Sequence, residues 1–99
     1  MKNATMEKEV DEVLRIKSTT GAKKISSSIA YLYFKGYKKI YLRAVGAGAL
    51  AQMVYGVIIA ETRLSSKNIN FSYKHYYKDI VDNAEEKQIT AIEYELIFK

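Results

Sequence analysis

The sequence predicts an α/β (α+β) fold in the order βαβαββ, and three observations support this prediction. Segments in which apolar and polar residues alternate are separated by two segments whose apolar residues recur at helical spacing. The chain has 99 residues, which suffices for one hydrophobic core. It has no proline, and it shows no internal repeat and no linker. We therefore expect a flexible tail at residues 1–11 and a single domain at residues 12–99.

The first strand and the first helix are predicted at residues 12–18 and 22–36. Apolar and basic residues alternate in the strand, which is typical of a half-buried strand. The hydroxyl of Thr20 or Thr19 can accept hydrogen bonds from the free N–H groups of the helix start, and Gly36 is a natural stop. The apolar residues that define the two elements are Leu14, Ile16, Ile25, Ile29, Leu32 and Tyr33.

The second strand is predicted at residues 38–45 and the second helix at about residues 48–64. Nearly all side chains from Ala47 to Ala60 are apolar or small. One face of this helix must cover the sheet, and we expect a second subunit to cover the other face. The alternative is that its alanines and glycines tolerate exposure. In the strand, the inward residues are Ile40, Leu42 and Ala44, and the outward residues are Lys39, Tyr41 and Arg43.

The third and fourth strands are predicted at residues 69–78 and 88–98, joined by a connection at residues 79–87. Both strands show the alternation of half-buried strands. In the third strand, Ile69, Phe71 and Tyr73 share one face, and Lys74, Tyr76 and Lys78 share the other. In the fourth strand, the inward residues are Ile92, Tyr94, Leu96 and Phe98.

Basic residues are concentrated in the middle of the chain. Residues 13–78 contain twelve Lys and Arg residues against one acidic residue, Glu61, a net charge of +11. The two ends are acidic, and the whole chain has a net charge of +5. A field of this sign attracts polyanions such as nucleic acid or an anionic membrane surface. The alternative is a solvated basic surface that only keeps the protein soluble.

Composition excludes several other classes of protein. No apolar run approaches the roughly 20 residues needed to span a bilayer, and the N-terminus lacks the apolar region of a secretory signal. The chain has no cysteine, which excludes disulfides and thiolate chemistry. We therefore expect a cytoplasmic protein that does not insert into membranes.

Gly46, Gly48 and Ala51 follow the second predicted strand at the spacing of a dinucleotide-binding turn. That turn also requires an acidic residue about 20 positions further along, to hold the ribose hydroxyls. Residues 66–68 stand there, and none is acidic. NAD is therefore not expected, and we predict no cofactor. The glycines allow either close packing or the approach of an anion to free N–H groups, and the spacing does not decide between these alternatives.

The segment VGAGALAQMVYGVIIA, from Val45 through Ala60, resembles the hallmark segment of the stage V sporulation protein S family. Small residues, a leucine and Gln52 stand in the register of that family. The wider layout is similar to Alba, the archaeal chromatin-protein fold to which the family is related. GAKK, at residues 21–24, and GYKKIYLRAVG, at residues 36–46, are similar to the corresponding Alba segments.

This resemblance covers roughly residues 13–78. It implies an Alba-like two-layer sandwich, with a four-stranded mixed sheet and two helices on one face. It also implies a homodimer, formed through the second helix and adjoining strands, that binds DNA or RNA. A role in sporulation is implied in the same way, as is association with the nucleoid if the ligand is DNA. In Alba the connection between the last two strands is a basic arm. Here it contains Asp79, Asp82, Glu85 and Glu86, so it points elsewhere or has another role.

The candidate nucleic-acid contacts are basic and aromatic residues near the first helix start and on the outward face of the sheet. Lys23 and Lys24 add positive charge to the free backbone donors of a helix start. Tyr41 and Tyr76 could each stack on an unpaired base, worth ~1 to 3 kcal/mol. The full set is Lys17, Lys23, Lys24, Lys39, Tyr41, Arg43, Gly46, Gly48, Lys74, Tyr76 and Lys78. Lys35 and Lys67 are expected to be solvated only.

No enzymatic or metal site is predicted. His75 is the only histidine, and it has no acidic residue at ligand spacing. Ser26, Ser27 and Ser28 are expected to face solvent or a contact with small residues. Glu93 and Glu95 share one strand face, but nothing in the sequence marks that face as a cleft. The alternative to a regulatory or architectural nucleic-acid binder is a non-enzymatic interaction module with an incidental basic surface.

Overall fold

The computed structural model of the chain describes residues 12–82 and 87–99. The predicted tail at residues 1–11 and the tip of the last connection at residues 83–86 lie outside the described residues. The described chain has the predicted order βαβαββ. Its elements are β1 (Glu12–Ile16), α1 (Ala22–Phe34), β2 (Lys39–Ala44), α2 (Ala47–Ser65), β3 (Phe71–Asp82) and β4 (Lys87–Phe98).

The strands form one mixed sheet in the order β1-β2-β4-β3. β1 and β2 are parallel, whereas β4 is antiparallel to both of its neighbours. Parallel neighbours end at the same edge of a sheet, so the loops that leave β1 and β2 emerge side by side. The helices α1 and α2 begin directly after these loops, and both helix starts therefore lie at that edge.

The core lies between the two helices and one face of the sheet. The buried residues that the sheet contributes are inward residues of the predicted alternation, and both helices cover one sheet face, as predicted. The helices contribute Ile25, Ile29, Leu32, Met53, Val57 and Leu64, and the sheet contributes Ile16, Ile40, Leu42, Phe71, Leu96 and Phe98. The other face, which we call the open face, has no helix against it within the described ranges. It contains the outward residues of the same strands.

The last two strands form a longer hairpin than predicted. β3 continues through Asp82, and Asp79 lies opposite Thr90 in β4. The Thr90 hydroxyl donates to Asp79 Oδ1 at 3.0 Å. The prediction of a loop from residue 79 was wrong because ladder pairing with β4 outweighs the low strand propensity of the two aspartates.

The start of α1 also differs from the prediction. Neither threonine caps the helix; Gly21 is the N-cap, and it has no side-chain hydrogen bond. Thr20 Oγ1 instead accepts from the Lys17 N–H at 3.0 Å, and the Thr20 N–H donates to the Lys17 carbonyl at 3.0 Å. This reciprocal pair makes a tight turn, which explains why β1 ends at Ile16 rather than at residue 18.

The prediction that Gly36 stops the first helix is confirmed, although the helix itself ends two residues earlier. α1 ends at Phe34, and Gly36 follows with a φ of 105°, a left-handed conformation that favours glycine. Gly46, the N-cap of α2, has a φ of 93° and a ψ of 157°. This region of backbone space is essentially restricted to glycine. The sharp entry into α2 therefore depends on glycine at this position.

Candidate nucleic-acid interface

The starts of α1 and α2 contact each other through the loop between β1 and α1. A Cβ placed on Gly48, in the first turn of α2, would lie 3.0 Å from Ser18 Cβ. Neither helix start has a side-chain cap or an acidic residue in its first turn within the described chain. The first N–H groups of a helix have no partner inside the helix and form its positive end. Two such ends therefore lie together at one edge.

Three lysines surround these helix starts. Lys17 lies in the turn before α1, and Lys23 and Lys24 lie in its first turn. All three are exposed, and none forms an ion pair with any residue in the described ranges. We call this region the helix-start surface and define it as Lys17, Gly21, Lys23, Lys24, Gly46 and Gly48.

The open face of the sheet has a different electrostatic arrangement. Two glutamates of the central strand β4 are buried there, with Glu93 3 % and Glu95 7 % exposed. Arg43 and Tyr76 flank Glu93 from the strands on either side. Arg43 Nε donates to Glu93 Oε1 at 2.9 Å, and the Tyr76 hydroxyl donates to Glu93 Oε2 at 2.7 Å.

Glu95 is paired in the same way, one step further along β4. Lys39 Nζ lies 3.5 Å from Glu95 Oε2, and Lys74 Nζ lies 3.8 Å from Glu95 Oε1. Each glutamate thus bridges β2 and β3 across the sheet. We call the six residues the open-face network: Lys39, Arg43, Lys74, Tyr76, Glu93 and Glu95.

The open-face network separates residues that the sequence had grouped together. Lys39, Arg43 and Lys74 point outward as predicted, but they are held by two carboxylates rather than presented as free cations. The Tyr76 hydroxyl is engaged as well: burial first, and then the hydrogen bond to Glu93, raises the pKa of Tyr76 well above its ordinary value of 10. Within the open-face network three cations face two carboxylates, so its net charge is only +1.

Two candidates of the open face remain, one at the level of the open-face network and one past its end. Tyr41 is half-buried between Val13 on β1 and Glu95 on β4. Lys78 is exposed and lies opposite Ala91, on the part of the hairpin that extends past the network. Neither residue belongs to the helix-start surface.

Arg15 is a further basic residue beside the open-face network, and it was not among the nucleic-acid contacts predicted from the sequence. It is exposed and lies beside Arg43 in the parallel register of β1 and β2. The signal was present in the sequence, because Arg15 alternates with Leu14 and Ile16. Its position near Arg43 depends on the parallel pairing.

The structure also shows the surroundings of three residues, Ser26, Lys35 and His75, whose environments were predicted from the sequence. Ser26 is buried, which excludes the first of its two expected environments, solvent, and it pairs with Arg63, whose Nη1 donates to Ser26 Oγ at 3.3 Å. Lys35 is not merely solvated, because its Nζ lies 5.3 Å from the centroid of the Tyr31 ring. His75 is an exposed strand residue, as expected, and its ring stacks on Tyr94.

A further exposed surface is apolar. On α2, Tyr55 is 57 % and Ile58 53 % exposed, with Ala51 exposed one turn before Tyr55. On the helix-side face of β3, Tyr73 and Tyr77 are also exposed. These side chains lie on faces that do not contact the core. The helix α2 is therefore apolar on more than its core-facing side, as the sequence predicted.

Neither a metal site nor a membrane span is found in the part of the chain that the structure describes. None of its helices combines the length and the apolar character needed to cross a bilayer. No three of its histidine, aspartate and glutamate side chains are grouped so that they could hold a metal ion.

Comparisons with known proteins give a family and a fold. The model of the family described as "Stage V sporulation protein S (SpoVS)" matches residues 12–99. Among solved structures, Alba from Thermoplasma volcanium is similar with a TM-score of 0.60 and 10% sequence identity, over 86% of this chain and 98% of that chain. At that identity the likeness shows the fold alone. No curated protein matches significantly.

Proposed function

The chain belongs to the stage V sporulation protein S family and has an Alba-like fold, and from this premise we propose that it binds DNA or RNA through the phosphate backbone at the helix-start surface. The observation that supports this most is the pair of uncapped helix starts with three unpaired lysines around them. The proposed role is regulatory or architectural, in the manner implied by the family resemblance.

The chemistry of the helix-start surface suits phosphate oxygens. Backbone N–H groups at a helix start donate to an anion, and the positive end of the helix favours negative charge there. Lys23 and Lys24 add mobile cations next to these donors, and Lys17 adds a third from the preceding turn. Such contacts position a protein on the backbone and contain no base information.

The open-face network argues against base stacking as the main source of affinity. Tyr76 is held by Glu93, and the neighbouring cations are paired. We therefore assign Lys39, Arg43, Lys74 and Tyr76 a structural role in the sheet, and we propose that Tyr41 and Lys78 make at most peripheral contacts. Binding should then depend strongly on salt and weakly on base sequence.

Removing the three lysines tests this proposal. We expect the variant Lys17→Ala, Lys23→Ala, Lys24→Ala to bind fluorescent single- and double-stranded oligonucleotides more weakly than wild type. The log–log slope of affinity against salt should become shallower by about 0.9 for every lysine that contacts a phosphate of duplex DNA. Anisotropy titrations at several salt concentrations measure both quantities.

A matched control removes the same charge elsewhere. Lys35→Ala, Lys38→Ala, Lys67→Ala changes the net charge equally but leaves the helix-start surface intact. We expect this variant to keep the wild-type slope. Equal losses in the two variants would mean that only overall charge matters, and no binding by wild type at any salt concentration would refute the proposed function.

We also propose that the protein is a homodimer whose interface includes the outer face of α2 and the adjoining exposed strand residues. The support is the exposed pair Tyr55 and Ile58, together with Tyr73 and Tyr77 on β3. Aromatic and aliphatic side chains of this kind are stabilised by burial, and a second copy offers the same apolar surface in return.

A lysine at Ile58 should weaken this dimer. We expect Ile58→Lys to raise the dimer dissociation constant about thirtyfold or more, which corresponds to about 2 kcal/mol. Sedimentation equilibrium measures the constant directly. Ser65→Lys, at the exposed end of the same helix, adds the same charge outside the proposed interface and should dimerise as wild type does. A monomeric wild type would rule out this interface.

A further inference from the structure

A groove runs along the outer edge of β1. It has a volume of about 430 Å³. Residues 14–16 of β1 and the following turn, which begins at Lys17, form one side, and the first turns of α1 form the other. Ile25 is part of its buried apolar base, and Leu14, which is half-buried, contributes further apolar surface.

β1 is an edge strand. Within the described chain it pairs only with β2, so its outer side presents backbone N–H and C=O groups without strand partners. The strand has five residues, Glu12–Ile16. The Lys17 N–H is already used by the turn, because it donates to Thr20 Oγ1. The backbone groups that are free to pair with another strand therefore end at Ile16. Past this residue the groove is lined by residues of the turn.

The polar side chains that line the groove are basic or hydroxylic. Arg15, Lys17 and Lys24 line the groove, all three are exposed, and none has an ion-pair partner in the described ranges. Thr19 and Ser28 add hydroxyl groups to its wall. No acidic residue of the described ranges lines it. The groove therefore joins an unpaired strand edge to a local excess of positive charge.

We infer that this groove binds an extended acidic peptide segment, which adds to the sheet as a further strand beside β1. A peptide supplies the alternating donors and acceptors that an open strand edge requires. Alternate acidic side chains would face Arg15 and Lys17, and the intervening side chains would face the helix side of the groove, where Leu14, Ile25 and Lys24 lie. A nucleic acid could pair with the cations but not with the backbone ladder. Because Lys17 and Lys24 also belong to the helix-start surface, an acidic peptide and a nucleic acid would exclude one another.

The test uses a blocked peptide of seven residues in which glutamate alternates with valine. We expect it to bind the full-length protein and to shift and protect the backbone amides of β1 in NMR spectra. A peptide in which lysine alternates with valine should not bind. Two further versions of the acidic peptide carry N-methyl groups on alternate backbone amides, one version on each edge. Since only one edge can pair with β1, one version should lose binding and the other should retain it.

A variant that fills the groove tests the location. Ser28→Trp places a large side chain in the groove and leaves every lysine in place. The acidic peptide should then bind about tenfold more weakly, which corresponds to a loss of about 1.4 kcal/mol of binding free energy. Ser27→Trp is the matched control, because Ser27 is exposed on the same helix outside the groove lining. Both variants should bind oligonucleotides as wild type does.

The outcomes separate this inference from the proposed function. Peptide binding without oligonucleotide binding refutes only the proposed function. Failure of the glutamate peptide to bind refutes the inference, as does equal binding of both N-methylated versions, which would indicate electrostatic attraction without strand pairing. If Ser28→Trp does not fold, the comparison of N-methylated versions on wild type decides the question alone.

Discussion

Replacing Glu93 with leucine is expected to lower the free energy of unfolding by about 3 kcal/mol, because it leaves Arg43 largely buried without its counter-ion. The Arg43 side chain is 17% exposed and Glu93 is almost fully buried, so water cannot replace the lost carboxylate well. The Tyr76 hydroxyl loses its acceptor in the same substitution. Urea unfolding at neutral pH, with the midpoint and slope both fitted, measures the change.

Glu95→Leu is the matched control for this result. It makes the same substitution on the same strand, but the partners Lys39 and Lys74 are 42% and 64% exposed at their side chains. These lysines can turn toward water, so the expected loss is at most about 1 kcal/mol. Equal losses at the two positions would contradict the distinction between a buried and a solvated half of the open-face network.

A compensating variant separates lost charge pairing from lost packing. Glu93→Leu combined with Arg43→Met and Tyr76→Phe removes the three partners together and leaves no unpaired polar group at the centre of the open face. Apolar replacement of a whole buried ionic group is often neutral or stabilising. We therefore expect this triple variant to regain most of the stability that the single substitution loses. If the triple variant does not recover stability, the polar contacts of the network must stabilise the sheet more than well-packed apolar side chains do.

The contacts within the open-face network were not predicted from the sequence, although each of its strands was. The alternation of Lys39, Tyr41 and Arg43 was readable, and so was the spacing of Glu93 and Glu95. That the two sets are neighbours depends on the strand order, in which β4 lies between β2 and β3. Local patterns do not encode this order, because it arises from the packing of the whole sheet. The outward direction of the basic residues was therefore predicted correctly, whereas their pairing with two buried carboxylates was not predicted.

The helix-start surface was more accessible to prediction. A parallel pair of strands followed by helices brings both helix starts to one edge, and the family resemblance placed Lys23 and Lys24 at the first of them. What the sequence could not show was that Gly48 packs against Ser18 and so joins the two starts. Spacing alone left packing and anion binding as alternatives for the glycines, and the contact at Gly48 shows that packing is one of their roles.

Gly56→Ala is expected to destabilise the protein by up to about 2 kcal/mol, although alanine is the better helix former. A Cβ at this position would lie 2.5 Å from Ile25 Cγ2, 2.6 Å from Ile25 Cβ and 3.3 Å from the carbonyl oxygen of Ala22. Ile25 is fully buried and cannot move aside, so the two helices must separate. Overpacking of this kind typically costs about 1 to 3 kcal/mol, and it outweighs the propensity gain of about 1 kcal/mol.

Gly48→Ala gives the comparison that isolates this effect. It makes the same change on the same helix, where the nearest neighbour is the exposed Ser18 in a loop that can shift. The propensity gain should then dominate, and this variant should be as stable as wild type or slightly more stable in thermal and urea unfolding. Opposite signs at the two glycines would locate the tight contact between α1 and α2 at Gly56. The same sign at both would mean that the helices tolerate wider spacing, in which case the position of the first turn of α1, with Lys23 and Lys24, would not depend on α2.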